Sequence, residues 1–387
     1  MPPADCMNKR SFSYFLFVAS AQFLAIQIVA FYIALYFKEI GLSGVHTGVY
    51  FAISTVAPLL FSLPMGITTD RKSIRWIFVV AFLLMGLRNA GLVLSQSLLV
   101  LCAFAFLGSI GGRLGGTAAN AMFFKLSGPD NLQSAGLYMF LRSLAMGTGT
   151  LLGGYLIDLL SYRTVFAIAL GINILLAIMS AFLPQTEQVE IKLAEYRKAV
   201  LTPRVLFLAA VFSLSSLHWG AEMVSYTPFL NVNLGLSLRN IGWYTGTGFA
   251  FVGIGSILAV VLLKSGAVRD LRRVLVYGLL LSGVFHVLMC MPNVYVSFAC
   301  RLVHEIGDGF VMVAFYHGIP KVFHLDKIGG CSAFMQLCMG LTAMGSAMLF
   351  GHIGDTLGYQ WPLIISGIVL VLIPVLLISS RHGMAVE

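Results

Sequence analysis

The sequence predicts an all-α integral membrane protein. Its twelve transmembrane helices form two pseudo-symmetric six-helix halves. Three observations carry this. Only 10% of the 387 residues are charged, 59% are apolar, and the mean hydropathy is +0.92, whereas a soluble domain averages about 25% charged residues. Apolar runs recur from end to end, many of about 20 residues or more, the length that spans a bilayer as helix. Segments of the first half also reappear in the second. A membrane β-barrel would instead show alternating strands of about ten residues.

The spans fall at about 11–37, 46–68, 75–95, 97–124, 132–157, 161–183, 204–232, 240–264, 271–291, 293–322, 329–354 and 359–380. The first is too long for a signal-peptide core and lacks a clear cleavage site. The only long polar connection is central, which divides the chain into a half at 1–184, a linker at 185–203 and a half at 204–387. With the N-terminus placed inside, seventeen Lys and Arg collect on the inner side and three on the outer. That positive-inside bias predicts cytoplasmic termini and a cytoplasmic linker. The net charge of +9 therefore reads as a topology signal and not as a nucleic-acid footprint. No Asn-x-Ser/Thr site occurs, which favours a bacterial inner or plasma membrane. Of the six cysteines, all but Cys6 lie in or beside apolar runs. Their spacing suits small packing residues better than metal ligands or a disulfide framework.

The internal repeat is visible in two places. GLSGVHTGVY at 41–50 aligns with GLSLRNIGWY at 235–244, and GGYLIDLLSYRTVF at 153–166 aligns with FGHIGDTLGYQWPL at 350–363. Two parallel six-span halves with a site between them are a transporter design.

Three motifs add to this. GITTDRKSIR at 66–75 resembles the G-x-x-x-D-R-x-G-R signature of the major facilitator superfamily, at Gly66, Asp70, Arg71 and Arg75. Ser73 stands where the family has Gly, and the last basic residue falls one place later. Arg113, followed by Gly116 and Thr117, resembles the family's intramembrane arginine of the fourth span. Gly136, Ala145, Gly149, Thr150, Gly153 and Gly154 resemble the antiporter motif of the fifth span, with Ala145 replacing a Gly and Thr150 the Pro. The resemblance covers essentially the whole chain. It implies gating by Asp70, Arg71, Arg75 and Gly66, and a central cavity lined by spans 1, 4, 7 and 10. A second reading of the loop basics is that they only set topology. Gly149, Gly153 and Gly154 suit close helix packing.

The stretch CRLVHEIGDGF at 300–310 poses the chemical question. Arg301, His304, Glu305 and Asp308 recur at i, i+3, i+4 and i+7, which is one helical face. In all, seven ionisable groups lie well inside spans: Arg88, Arg113, Arg142, Glu222, Arg301, Glu305 and Asp308. Each costs about 2.5–3.5 kcal/mol at a helix centre, so facing lipid would total on the order of 20 kcal/mol. They must face water or one another. Span 7 carries a matching stripe of Ser215, His218, Glu222 and Tyr226, and span 4 carries Arg113, Thr117 and Asn120. By the resemblance, these stripes look into the translocation cavity.

Two readings of the charges stand side by side. In one, Arg113 and Arg142 hold an anionic substrate group, Glu222, Glu305 or Asp308 carries a proton, and His218 and His304 relay it. In the other, the acids and arginines pair structurally, as Arg301 and Glu305 at i, i+4 readily do. Trp219 and Tyr226 suit either substrate stacking or packing, Arg88 suits packing within its own half, and His286 and His317 have no assigned role.

The functional expectation is a secondary active transporter of a small organic solute, working by alternating access in a lipid bilayer. The proton gradient supplies the energy, with no cofactor. The chain lacks a Walker loop for ATP, and it is expected to be monomeric and not an enzyme. A drug or metabolite antiporter, or a non-transporting sensor or enzyme on the same fold, are the alternatives.

Overall fold

The protein is described here from a computed structural model covering residues 9–42 and 44–379, and these contain no strand. Cys6 and Arg381 lie outside the described residues. The first span is two helices, α1 (Lys9–Ala30) and α2 (Ile33–Glu39). Five long helices follow: α3 (Gly44–Arg71), α4 (Ile74–Leu94), α5 (Leu98–Ser127), α6 (Leu132–Leu159) and α7 (Tyr162–Ser180). The short α8 (Leu193–Val200) lies in the central connection. The seventh span is α9 (Pro203–Ser215) and α10 (Leu217–Ala221), continued by π-helical turns over Glu222–Tyr226 and Phe229–Asn233. The remaining helices are α11 (Leu238–Lys264), α12 (Leu271–Leu288), α13 (Val294–Val322), α14 (Ile328–Leu357) and α15 (Gln360–Ser379).

Among the described residues, ten candidate spans are long and apolar enough to cross a membrane. α6 and α13 match them in length, at 28 and 29 residues, but carry Arg142 in one and Arg301, Glu305 and Asp308 in the other. The starts are written in the sequence. Ser161, Thr202, Ser237, Asp270 and Asn293 each accept a hydrogen bond from a backbone N–H of the helix that follows, which satisfies donors that helix leaves open. Gly128 ends α5 with a φ of 69°, a conformation only Gly adopts cheaply.

The chain forms two compact units. The first comprises Met1–Gly128, Ala145–Tyr196 and His324–Phe334, and the second Pro129–Leu144, Arg197–Phe323 and Met335–Glu387. In the first, α4 packs on α5 and α7, α3 on α5, and α1 on α7. In the second, α12 packs on α13 and α15, α11 on α13, and α9 on α15. The pairings repeat helix for helix, as the internal sequence repeat requires.

α6 is divided between the units by residue. Within the first unit, Gly149, Gly153 and Gly154 lie against α1, where an added Cβ would meet the backbone of Leu24 and Ile28 and the ring of Tyr32. Within the second, Gly136 meets Val260 of α11, and Gly253 of α11 meets Phe140. Small residues are thus spent where helix backbones cross. The same device joins α11 to α13: Gly255 lies against the Ile306 backbone, and Gly309 against the backbone of Val252 and Ser256.

Gly309→Ala is expected to destabilise the protein by about 1–3 kcal/mol, through overpacking against backbone. Gly112, which faces open space, should tolerate the same change without loss. Thermal unfolding of both variants in detergent checks this, and equal melting temperatures would contradict the tight crossing.

Candidate functional site

The four ionisable side chains of CRLVHEIGDGF are all buried in α13, with His304 fully so. Arg301 is the hub. Its Nη1 and Nη2 donate to the two oxygens of Glu222, the second bond at 3.1 Å. Nη2 also lies 2.5 Å from Glu305, and the guanidinium stands 4.3 Å from the ring centre of Tyr226. The paired contact with Glu222 is the fork geometry that suits guanidinium and carboxylate. Gly248 on α11 leaves the room: a Cβ there would come within 3.1 Å of the Glu305 carboxylate.

The seventh span delivers its groups through a broken helix. α9 ends at Ser216, whose hydroxyl donates to the Met339 carbonyl at 2.8 Å. α10 then brings Gly220 tight against Ser346 and Ala343 of α14. Glu222 and Tyr226 sit on the π-helical turn that follows. Such turns are rare and widen a helix locally.

Asp308 is held from two sides. Its Oδ1 accepts from Ser282 of α12 at 2.7 Å, and its Oδ2 lies 3.2 Å from His218 Nε2 and 4.0 Å from His304 Nε2. Glu222 Oε1 in turn lies 3.2 Å from His304 Nε2 and 3.5 Å from His286 Nδ1. The three imidazoles form one cluster, with ring centres 4.7–5.6 Å apart. Two trios, His218–His304–Asp308 and Glu222–His286–His304, have ligand atoms within 4.8 Å of one another. The sequence stripes of spans 7 and 10 therefore meet inside the second unit. They are completed by His286 and Ser282 of α12. A lone histidine and a serine four residues apart gave little signal in the sequence.

Of the first half's arginines, Arg142 belongs to the second unit, where it donates to the Tyr316 hydroxyl at 2.9 Å. Next to it, Asn131 donates to the Tyr316 carbonyl and bonds His317. Arg113 is half-buried on α5 in the first unit. The stem of Arg88 fills the space over Gly108, so that side chain packs between α4 and α5.

The residues of GITTDRKSIR build a second polar site, in the first unit. Asp70 is fully buried and accepts from the backbone N–H of Gly329 and Gly330, at 3.0 and 2.9 Å. These are N-terminal donors of α14, where a carboxylate is favoured by open N–H groups and by the helix dipole. Lys125 stands 3.6 Å away, and the Tyr196 hydroxyl donates to Asp70 at 3.1 Å. Burial, reinforced by this carboxylate, pushes the Tyr196 hydroxyl above its ordinary range. Gly66 makes the approach possible, since an added Cβ would collide with Ala333 and Gly329. Arg71 reaches the Ile191 carbonyl at 2.5 Å, and Arg75 lies over the Trp76 ring, 5.7 Å from its centre. The partners Lys125, Tyr196, Gly329 and Gly330 were not legible as a set, because they come from three separate stretches.

A family model described as the Major Facilitator Superfamily matches residues 15–269 and 234–383. The chain belongs to the major facilitator superfamily. It is an integral, multi-pass membrane protein of a transporter family. Among solved structures it is similar to a bacterial homologue of the iron transporter ferroportin in an outward-facing state. That match has 14% identity and a TM-score of 0.76, and covers 95% of this chain and 98% of that one. It is also similar to the human organic anion transporter MFSD10 (TETRAN), at 14% identity and a TM-score of 0.78, covering 96% and 100%. At that identity the likeness is one of fold. No match was found among curated proteins.

Asp70→Ala strands the buried Lys125 charge and two backbone donors, and losing one partner of a buried pair costs about 3–5 kcal/mol. The double variant Asp70→Ala/Lys125→Met should recover part of that loss. A melting series on the two proteins decides it. No difference from the native protein in the single variant would mean the carboxylate does not tie α3 to the start of α14.

Proposed function

We propose that this transporter couples protons to the movement of a small organic anion by alternating access. The network around Arg301 carries the protons, and Arg113 in the first unit or Arg142 in the second takes the anionic group. One observation carries the coupling: Glu222 and Glu305 of the second unit share the Arg301 guanidinium, while the buried Asp308 of the same network is held by His218 and Ser282. With the imidazoles neutral, the acids outnumber the guanidinium and offer a place where protons load, with His218 and His304 beside it to pass them on. A purely structural network would be expected to balance its charges, because an unpaired buried ion is costly.

The anion half rests on two arginines of the first-half sequence placed within span-forming helices. The name of the human neighbour is of the same kind, but 14% identity carries fold and no substrate. The reading has a monomer in a bacterial inner or plasma membrane, and the seventeen-to-three distribution of Lys and Arg supports both termini on the cytoplasmic side. Asp70 and its partners on α14 act as the gate of the cytoplasmic ends.

The test has two stages. Purified native protein and Arg113→Ala are screened with organic anions, cations and neutral lipophiles for shifts in melting temperature, since a ligand of the folded state stabilises it. Anions should stabilise the native protein and lose their effect on the variant. The best hit is then followed into proteoliposomes under an imposed pH gradient. Native uptake should rise several-fold with the gradient. Asp308→Asn should lose that response while still exchanging labelled for unlabelled solute. Uptake indifferent to the gradient sinks proton coupling. Shifts from cations that survive Arg113→Ala sink the anion site.

A further inference from the structure

We infer that the three histidines and two carboxylates at the centre of the second unit form a binding site for a divalent first-row transition-metal ion. The inference rests on side-chain geometry within that unit and stands independently of the organic-anion reading.

The orientation of the imidazoles comes first. His304 Nδ1 lies 2.9 Å from the Ser282 carbonyl, and His218 Nδ1 bonds the Ser215 carbonyl. A carbonyl only accepts, so both Nδ1 atoms carry the proton. His286 Nε2 lies 3.2 Å from the Ser366 hydroxyl, which spends its own proton on the Leu363 carbonyl at 3.1 Å. That hydroxyl therefore accepts from Nε2. In the neutral imidazoles, all three opposite nitrogens then present a lone pair: Nε2 of His218, Nε2 of His304 and Nδ1 of His286. Outer nitrogens tied to carbonyls or hydroxyls, with inner nitrogens turned to a shared centre, are the usual second layer around metal-bound histidine.

Those inner nitrogens point at carboxylate oxygens. His304 Nε2 and His286 Nδ1 make no hydrogen bond, both rings are fully buried, and both converge on Glu222 Oε1. His218 Nε2 faces Asp308 Oδ2. Lone pairs set against anionic oxygens at 3.2–3.5 Å repel unless a proton or a metal ion lies between them. Within each of the two trios, which share His304, the spacing fits a metal ion. Zinc–nitrogen and zinc–oxygen bonds of about 2.0–2.1 Å at tetrahedral angles put neighbouring ligand atoms about 3.3 Å apart.

Charge agrees with geometry. With neutral imidazoles, three carboxylates against Arg301 leave two negative charges, and one divalent ion cancels both. The other titratable groups facing the cluster, Tyr226 and Tyr244, are neutral phenols near Arg301. A donor set rich in imidazole selects zinc, iron, cobalt, nickel or copper over magnesium and calcium, which prefer all-oxygen shells. Protons compete for the same nitrogens, so binding weakens as pH falls.

The test is titration of chelator-stripped, detergent-purified protein with Co²⁺, read by visible absorption, and with Zn²⁺, read by calorimetry. One equivalent should bind, at least tenfold more weakly at pH 5.5 than at pH 7.5. His304→Gln should weaken binding at least tenfold. Ser366→Ala, which keeps every ligand, should weaken it by about tenfold, as loss of an outer-layer partner does. It decides the matter should His304→Gln fail to fold. The exposed His324–Asp326 pair, 2.9 Å apart, can take metal adventitiously, so His324→Ala should leave binding intact. Absence of saturable binding overturns the inference, as does binding lost in His324→Ala or unchanged in Ser366→Ala. No gradient or solute enters the measurement, so its failure is distinct from failure of the transport reading.

Discussion

One guanidinium buried among three carboxylates is the constraint on which the second unit turns. Arg301 satisfies Glu222 through two bonds, touches Glu305, and leaves Asp308 to histidine and serine. Each of these groups is expensive to strip of water. The helices that carry them must therefore meet closely, and small residues let them do so. Gly248 clears the Glu305 carboxylate. Gly307 admits the Ser282 backbone, and so brings α12 to α13 where Asp308 needs its hydroxyl. The glycine pattern and the charge pattern are two parts of one arrangement.

The first unit solves a smaller version of the same problem differently. Asp70 is buried as deeply as any acid of α13, yet its partners are mostly fixed dipoles, two backbone N–H groups at the start of α14, with Lys125 as its one close cation. Backbone donors at a helix start are geometrically rigid but end wherever the helix moves. A carboxylate held this way is stable only while the residues from Gly329 stay docked on α3. The gate proposed above depends on that property.

The sequence made the scaffold legible and the chemistry only partly so. Span positions follow from apolar length, and capping residues such as Thr202, Asp270 and Asn293 mark helix starts by local rules. The stripe of α13 could be read because helical periodicity is local too. His286 could not: its role arises from a neighbouring helix, and nothing within α12 marks it. The breaks in the seventh span also escaped notice. Ser215, His218, Glu222 and Tyr226 look like one regular stripe, whereas the chain reaches the cluster through an interruption at Ser216 and a π turn at Glu222. Tertiary contacts set both features, and spacing along the chain does not encode them. The same limit applied to Asp70, recognised by motif while its partners on α8 and α14 were not.

The duplication shows where the specialised chemistry lies. Helix pairings recur between the units, but the ionisable groups do not. Arg113 on α5 and Asp308 on α13 stand 195 residues apart, within a residue or two of matched places in the internal repeat, and carry opposite charge. A packing role that was the same in both copies would have favoured the same residue type at both. Opposite charge at such nearby places points to different surroundings for the two copies in the low-dielectric interior. On the reading proposed above, the first copy takes an anion at its arginine, and the second a cation, proton or metal, among its acids and imidazoles. A transporter built by duplication gains two unlike sites this way without altering the helix framework that presents them.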